Sequence, residues 1–476
     1  MGGVAGLVIL AGVVGGVVFS VRAPACDLVV RSDVLVVDGA GIGVGARVCL
    51  AGGTRGGIRF VNLRGSAVAP ITIVAEGPDP VVIDGDTPVA VYLSNCEHVR
   101  LTGEDVPIEV VGSGWNGIRA DECDYLEIDH VTVRDVPGIG ILAKSVSSDQ
   151  IETSVHDCVL ERIGREGIYV GDSDFENSGA ACRGVEVFGN QVTDVGWDGI
   201  QVCGAPEGVS VHHNMVDRVD LGENEGGNAG AGLIVDSHSS GEWYANRVTR
   251  ARSCVYIHGR VDGLARVFNN VLVDCEDGVA WFGGEYSEIF NNTIVNVGAG
   301  VRGQSWMWEE FGSVHDNLLA NAGLSFVGGA RVYGNLVTSV EGAGFVDADG
   351  GNYRLRASSP AVDGGSGDGC DVDADGLVAS GVRYVGAFEY SGVEATVMSP
   401  ISPIVTPTFV PSPVETVVPG GEWFDVCPED GVCPSPWPVQ PTYTPAPLPT
   451  CRPTVTCVPN PSPTPYPTST PYPVQP

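Results

Sequence analysis

Lysine is almost missing from this chain. Lys144 is the only one, and 25 basic residues stand against 59 acidic ones. The resulting formal charge of −34 repels phosphate backbones and anionic lipid, which argues against nucleic acid or a membrane surface as partner. A polyanionic substrate would need a local exception to that field. A strict Gly-X-Y period is also missing despite 67 glycines, so collagen is excluded. Among 14 cysteines no two have CxxC spacing, which fits disulfides in an oxidising compartment better than a metal or thioredoxin-type site. After the first 25 residues no stretch is long and apolar enough for a membrane span. The central region lacks a sustained 3.6-residue period, which removes amphipathic helices as its building unit.

Residues 1–25 read as a signal peptide. Leu7 to Val21 is apolar, and Ala23-Pro24-Ala25 has the small-x-small pattern of a signal-peptidase site, although a basic n-region is lacking. Cys26 follows at once, and lipoprotein acylation there is a competing reading. The expectation is an exported protein, secreted or attached to a cell surface. From Ser391 to Pro476 the composition shifts to Pro, Thr, Ser and Val. Such a tail favours extended polyproline segments and cannot form a core, so it reads as a disordered stalk.

Between these ends lies a repeat with a period near 24 residues. One half of each unit reads apolar-x-x-Asn-x-apolar, with its Asn at 190, 214, 246, 270, 292, 317 and 335. The other half reads small-apolar-x-apolar, as in Gly117-Ile118-Arg119-Ala120, Gly140-Ile141-Leu142-Ala143, Gly167-Ile168-Tyr169-Val170 and Gly199-Ile200-Gln201-Val202. Period-two alternation marks strands. Strands this short cannot bury a face alone, so successive coils must stack about 4.8 Å apart. An Asn buried at a turn satisfies its amide when it stands on an identical Asn, so the column is structural. Cys96 with Cys123, and Cys254 with Cys275, lie about one coil apart and could bridge neighbours. Cys427 with Cys433, and Cys451 with Cys457, could close small loops in the tail.

The pattern resembles the right-handed parallel β-helix of the pectate-lyase-like superfamily. Gly56-Gly57-Ile58-Arg59-Phe60, Pro70-Ile71-Thr72-Ile73-Val74 and Val81-Val82-Ile83-Asp84-Gly85 look like entry coils of secreted members. Ser359-Pro360-Ala361-Val362-Asp363 and Val385-Gly386-Ala387-Phe388-Glu389-Tyr390 look like the closing segment of bacterial surface β-helix proteins. The resemblance implies an all-β solenoid: entry coils over 26–70, repeats over 71–340 and a closing segment over 341–390. It implies no single reaction, because this scaffold hosts lyases, hydrolases, epimerases, adhesins and phage spikes alike.

Strand alternation places candidate chemistry. If Ile118, Ile141, Ile168, Ile200, Leu233, Val255, Val279 and Val301 point inward, the residue after each points out. One outward column is then Arg119, Leu142, Tyr169, Gln201, Ile234, Tyr256, Ala280 and Arg302. A second is Asp121, Lys144, Gly171, Cys203, Asp236, His258, Phe282 and Gln304. Asp121 and Lys144 become neighbours that can form an ion pair. Asp236, Tyr256 and His258 cluster, with His238 and Arg260 nearby. The acidic segments at Asp172, Asp174 and Glu176, and at Asp217, Asp220, Glu223 and Glu225, could wall the same face.

Uronate β-elimination needs a base and a cation to neutralise the developing enediolate. Lys144, Tyr256, His258, Arg260 and Asp236 are the catalytic candidates. Arg119, Asp121, Tyr169, Gln201, His238 and Arg302 are the substrate-binding ones. Glycoside hydrolysis needs two facing carboxylates, such as Asp172 with Asp236 or Asp198 with Asp236, and those pairs read as sitting on well-separated coils. Asp371, Asp373 and Asp375 match the first half of a Ca²⁺ loop, but Val382 stands where a bidentate acid belongs. Gly39-Ala40-Gly41-Ile42-Gly43 follows a strand without a helix after it, so it reads as turn glycines and not a dinucleotide loop. The expected partner is a polysaccharide or cell-surface glycan met by a monomer. A non-catalytic adhesin on a stalk and a virion fibre are the alternatives.

Overall fold

The computed structural model describes residues 13–14, 17–18 and 25–390, apart from 86, 221–229, 260–262, 284–286, 304–311, 326–329, 370–371 and 378–383. Most of the expected signal peptide and the whole Pro-rich tail lie outside the described residues. Among the described residues no helix is long and apolar enough to cross a membrane.

The chain winds as a parallel β-helix. One coil consists of Asn116–Asp121, Asp124–Asp129 and Val131–Val136, after which Ile141–Lys144 begins the next. Three faces result. Face A is a 12-stranded parallel sheet from Val36–Asp38 to Leu324–Ser325. Face B stacks Glu97–Thr102, Asp124–Asp129, Gln150–His156, Cys182–Phe188 and their successors to Arg331–Tyr333. Face C stacks Ile108–Val111, Val131–Val136, Val159–Ile163 and on to Leu336–Thr338. Faces B and C merge in the entry coils through the long strands Arg47–Arg55 and Ile71–Ile83.

The inward column of face A runs Val91, Ile118, Ile141, Ile168, Ile200, Leu233, Val255, Val279 and Val301 in register, with each at most 1 % exposed. Glycine precedes most of these residues because the strand entry leaves no room. A Cβ on Gly199 would sit 2.4 Å from both the Gly232 carbonyl oxygen and Val216 Cγ1.

Between faces B and C each coil turns on one left-handed residue. These include Gly189, His213, Ala245, Asn269, Asn291, Asp316 and Gly334, with φ between 49° and 65°. The ladder Asn follows directly. Asn214 donates its Nδ2 to the Val187 carbonyl (2.9 Å) and to Asn246 Oδ1 (3.0 Å), and its backbone N–H reaches the same Oδ1. This bonding repeats from Asn190 to Asn335. All seven predicted positions belong to it.

A second ladder escaped the sequence reading. Two residues before each Asn stands a ring: Phe188, His212, Tyr244, Phe268, Phe290, His315 and Tyr333, with His156 below them. Neighbouring centroids are 4.5–5.1 Å apart and the planes lie within 19° of parallel. Offset stacking of this kind adds to area burial.

The cysteine expectations are partly corrected. Cys254–Cys275 is a disulfide as anticipated, but Cys26 pairs with Cys49, so its sulfur is not free for a lipid. Cys96 and Cys123 face each other on adjacent coils as buried thiols and are not bridged. The described residues between 345 and 389 lie outside the coils. They fold back along the outside of face C, where Phe345, Tyr353, Leu355, Val385 and Phe388 cover Val271, Val273, Val295 and Leu318. Asn269 and Asn291 of the turn column donate to the Val372 and Tyr384 carbonyls of this segment.

Candidate functional site

Face A carries the outward columns in the register expected: Arg119, Leu142, Tyr169, Gln201, Ile234, Tyr256, Ala280 and Arg302 align coil by coil. Outward does not mean exposed, however. Residues 172–181 leave the strand Ile168–Gly171 and fold over the face through the short helix Phe175–Ser178. Beneath this flap Tyr169 is buried, accepting from the Ser173 N–H (3.2 Å) and from the Cys203 thiol (3.2 Å). His238 is buried as well, beside the Phe175 ring and 3.3 Å from Glu176.

The expected Asp121–Lys144 ion pair does not form. Lys144 reaches instead to Asp172 on the flap (3.0 Å). Asp121 takes Arg119 from its own strand (2.9 Å) and the Tyr92 hydroxyl (2.7 Å). Asp121 is the register neighbour of Lys144, but the lysine pairs with the more buried Asp172. Arg302 pairs with Asp277 and lies over the Phe282 ring. Asp217 turns away from face A, since it ends a face C strand and binds Arg250 and Thr249. Arg260, Gln304, Glu223, Glu225 and Asp371 lie outside the described residues. In the acidic loop Asp373 accepts the N–H groups of Asp375, Leu377 and Glu389, while Asp375 holds Arg354 (2.6 Å).

One expected cluster assembles. Asp236 accepts from Gln201 Nε2 (2.7 Å), from the Ser237 N–H (2.7 Å) and from His258 Nδ1 (3.1 Å). Burial opposes its charge, but His258 and these donors outweigh burial and hold the carboxyl below its usual range. Asp236 in turn raises His258. The Tyr256 ring lies 5.3 Å from His258, and burial followed by the Asp236 charge pushes its hydroxyl up.

The His258–Asp236 pair predicts a pH signature. A raised imidazolium contributes stability that is complete below its unfolded value, about 6.5, and fades as pH rises through the folded one. The depressed carboxyl contributes above about 3.9 and fades as pH falls through its folded value. The melting-temperature difference between wild type and His258→Gln is therefore expected to be largest near pH 5–6 and to shrink in alkali. An equal difference at acid and alkaline pH would break the pairing.

Two further acids complete the site. Asp198 and Glu166 each stand two residues before an inward Ile, on adjacent coils joined by the Gly167 N–H to Asp198 carbonyl bond (2.9 Å). Asp198 is 4 % exposed and Glu166 8 %. Asp198 Oδ1 caps the next coil, accepting the Gly230 and Ala231 N–H groups at 2.8 Å. Burial, with added repulsion from Glu166 and Asp236, pushes Asp198 up to about 7. Burial raises Glu166 too, and its Oε2 is buried with no hydrogen-bond partner. The coils of Asp198 and Asp236 are adjacent and not well separated as expected, with Val202 of the first strand paired to Val235 of the second; along the strands Asp198 stands at the entry beside Ala231 and Asp236 at the exit.

One residue upstream of these acids, Arg165 lies between two indoles, 4.5 Å from the Trp115 ring centroid and 4.2 Å from that of Trp197. Trp115 is 44 % exposed. Glu166, Trp115, Arg165 and Trp197 are not among the residues that strand alternation singles out. Their signal lay in the residues just ahead of each Gly-Ile pair.

No protein-family model and no curated protein sequence matches this chain. Among solved structures it is similar to pectate lyase Pel9A, at 14% identity and a TM-score of 0.45 over 77% of this chain and 97% of that one. It is similar to the PL6 family polysaccharide lyase Pedsa3628 from Pseudopedobacter saltans at 14% identity and a TM-score of 0.41, over 76% and 99% of the two chains. The A-module of the Azotobacter vinelandii mannuronan C-5 epimerase AlgE6 is similar at 14% identity and a TM-score of 0.41, over 63% and 91%. Likeness of this degree reflects stacked coils and assigns neither a reaction nor a substrate, so the fold rests on the coils described above.

Proposed function

We propose that this protein binds a polysaccharide along face A and hydrolyses its glycosidic bonds by acid–base catalysis. The observation that carries this reading is the splitting of two buried carboxyls on adjacent coils. Asp198 is pushed up to about 7 while Asp236 is held below the usual range. Opposite shifts on neighbouring coils of one face are what a proton donor and a carboxylate base require. Asp198 gives its proton to the glycosidic oxygen as the bond to the anomeric carbon breaks. Asp236 takes a proton from the water that forms the new bond. Burial, with a smaller contribution from the nearby Glu166, keeps Asp198 protonated, and Gln201 and His258 orient Asp236.

Elimination is less well supported. Lys144 and Arg302 are each paired with a carboxylate, and Asp236 favours a protonated His258, which is then a poor base. Among the described residues of face A, Arg119, Lys144 and Arg302 are each paired with a carboxylate, which favours a neutral or sparsely charged glycan. The exposed Trp115 face offers a platform for a pyranose ring.

The test is incubation with a panel of neutral and acidic polysaccharides. New reducing ends without unsaturated uronate absorbance are expected. Unsaturated products would replace hydrolysis with elimination, and no cleavage of any polymer would leave a binding protein.

A further inference from the structure

The corner between faces B and C carries a second polar cluster on the far side of the coil from the groove. On two adjacent coils the dipeptides Asp129-His130 and His156-Asp157 stack with their chemistry reversed. Asp129 pairs in register with His156, and the His130 N–H bonds the His156 carbonyl (3.3 Å). Each imidazole thus stands over or under a carboxylate, and both turn residues, His130 and Asp157, have left-handed backbone (φ 54° and 52°).

We propose that His130, His156 and Asp157 form a zinc site. Each offers one ligand atom, and the three atoms lie within 4.8 Å of one another. Two imidazoles and one carboxylate suit Zn²⁺, whereas Ca²⁺ and Mg²⁺ prefer an all-oxygen shell. Three protein ligands leave a fourth position for water.

The surroundings are arranged for this. Asp129 accepts from His130 Nδ1 (2.7 Å), which fixes the tautomer and leaves Nε2 as the lone-pair nitrogen. His156 stacks on Phe188 with centroids 4.5 Å apart, so its ring plane is held by the aromatic ladder. The overlapping set Glu127, Asp129 and His156 is a poorer candidate. Its buried Asp129 already holds the Arg100 guanidinium (2.7 and 2.9 Å) and the Thr102 hydroxyl, and Arg100 lies 3.3 Å from Glu127.

The experiment is calorimetric titration of the EDTA-treated full chain with Zn²⁺, with Co²⁺ as a spectroscopic probe of the same site. One saturable Zn²⁺ per chain and visible d–d bands from Co²⁺ are expected. His130→Gln and Asp157→Asn should each weaken binding on the order of 100-fold, and Asp129→Asn by about 10–100-fold through the outer shell. Circular dichroism melts of these near-isosteric variants separate lost binding from lost folding. His213→Ala, which alters another histidine corner on the same side, should bind as wild type. Absence of one-to-one binding, binding that survives both His130→Gln and Asp157→Asn, or binding abolished by His213→Ala would each overturn the assignment.

Discussion

Replacing Asp198 by Asn is expected to cut turnover by about 10²–10⁴-fold and, in the same variant, to stabilise the protein in alkali. Both effects have one cause. Burial pushes this carboxyl up to about 7 in the folded chain, against about 3.9 when unfolded. The folded state therefore retains a proton that the unfolded state gives up, and stability falls as pH rises from the lower value through the higher one. A gap of roughly three units corresponds to about 4 kcal/mol by pH 8. Asn carries no charge to bury, yet keeps an Oδ1 for the Gly230 and Ala231 N–H groups. Melting curves of the two proteins should nearly coincide near pH 4 and diverge by pH 8, with the variant higher. Retained turnover would reduce Asp198 to a coil cap, and absence of the alkaline gain would mean that its proton is not held. Glu166→Gln should leave turnover measurable while moving the basic limb of the rate profile to lower pH.

The second large effect is structural. Asn246→Ala is expected to destabilise the coil stack by on the order of 3–6 kcal/mol, because four partners are stranded in a buried column. The Asn214 backbone N–H and Nδ2 lose their acceptor, the Val211 carbonyl loses its donor, and Asn270 Oδ1 loses one of its two. Asn335 closes the ladder and is only half-buried. Its replacement by Ala should cost about 1 kcal/mol, since water reaches the orphaned groups. Chemical denaturation of both variants reads the contrast directly. Equal losses at the two positions would show that the amide column contributes little beyond packing volume.

The coil and its register were legible because they depend on periodicity alone. Seven Asn at one phase located the turn, and Ile118 through Val301 located the core. Aromatic-x-Asn was present in the same strings, as in Tyr244-Ala245-Asn246, and the second ladder could have been drawn from it. What alternation could not supply was the covering of face A. Tyr169 and Gln201 point outward by parity but are buried by a flap whose course follows from tertiary contacts, not from a period. Nor could it choose the partner of Lys144: register names Asp121 as its neighbour, but Asp121 is taken by Arg119 and Tyr92 while the flap brings Asp172 to the lysine. Asp198 was weighed as a partner of Asp236 but placed too far away, because the insertion between their coils lengthens the sequence without lengthening the axis.

The Asn ladder also gives the molecule a direction. In a parallel sheet, backbone carbonyls point alternately up and down the stack and largely cancel. The side-chain amides do not alternate. From Asn190 to Asn317 every amide-to-amide bond runs the same way, from the Nδ2 of the lower-numbered coil to the Oδ1 of the higher-numbered one, while each Nδ2 gives its other hydrogen to a backbone carbonyl of the coil below. The aligned amide dipoles form a head-to-tail wire through a low-dielectric core, each polarising the next. Its two ends differ in sign, so a column that only fills a turn also makes the electrostatics of the solenoid's two poles unlike.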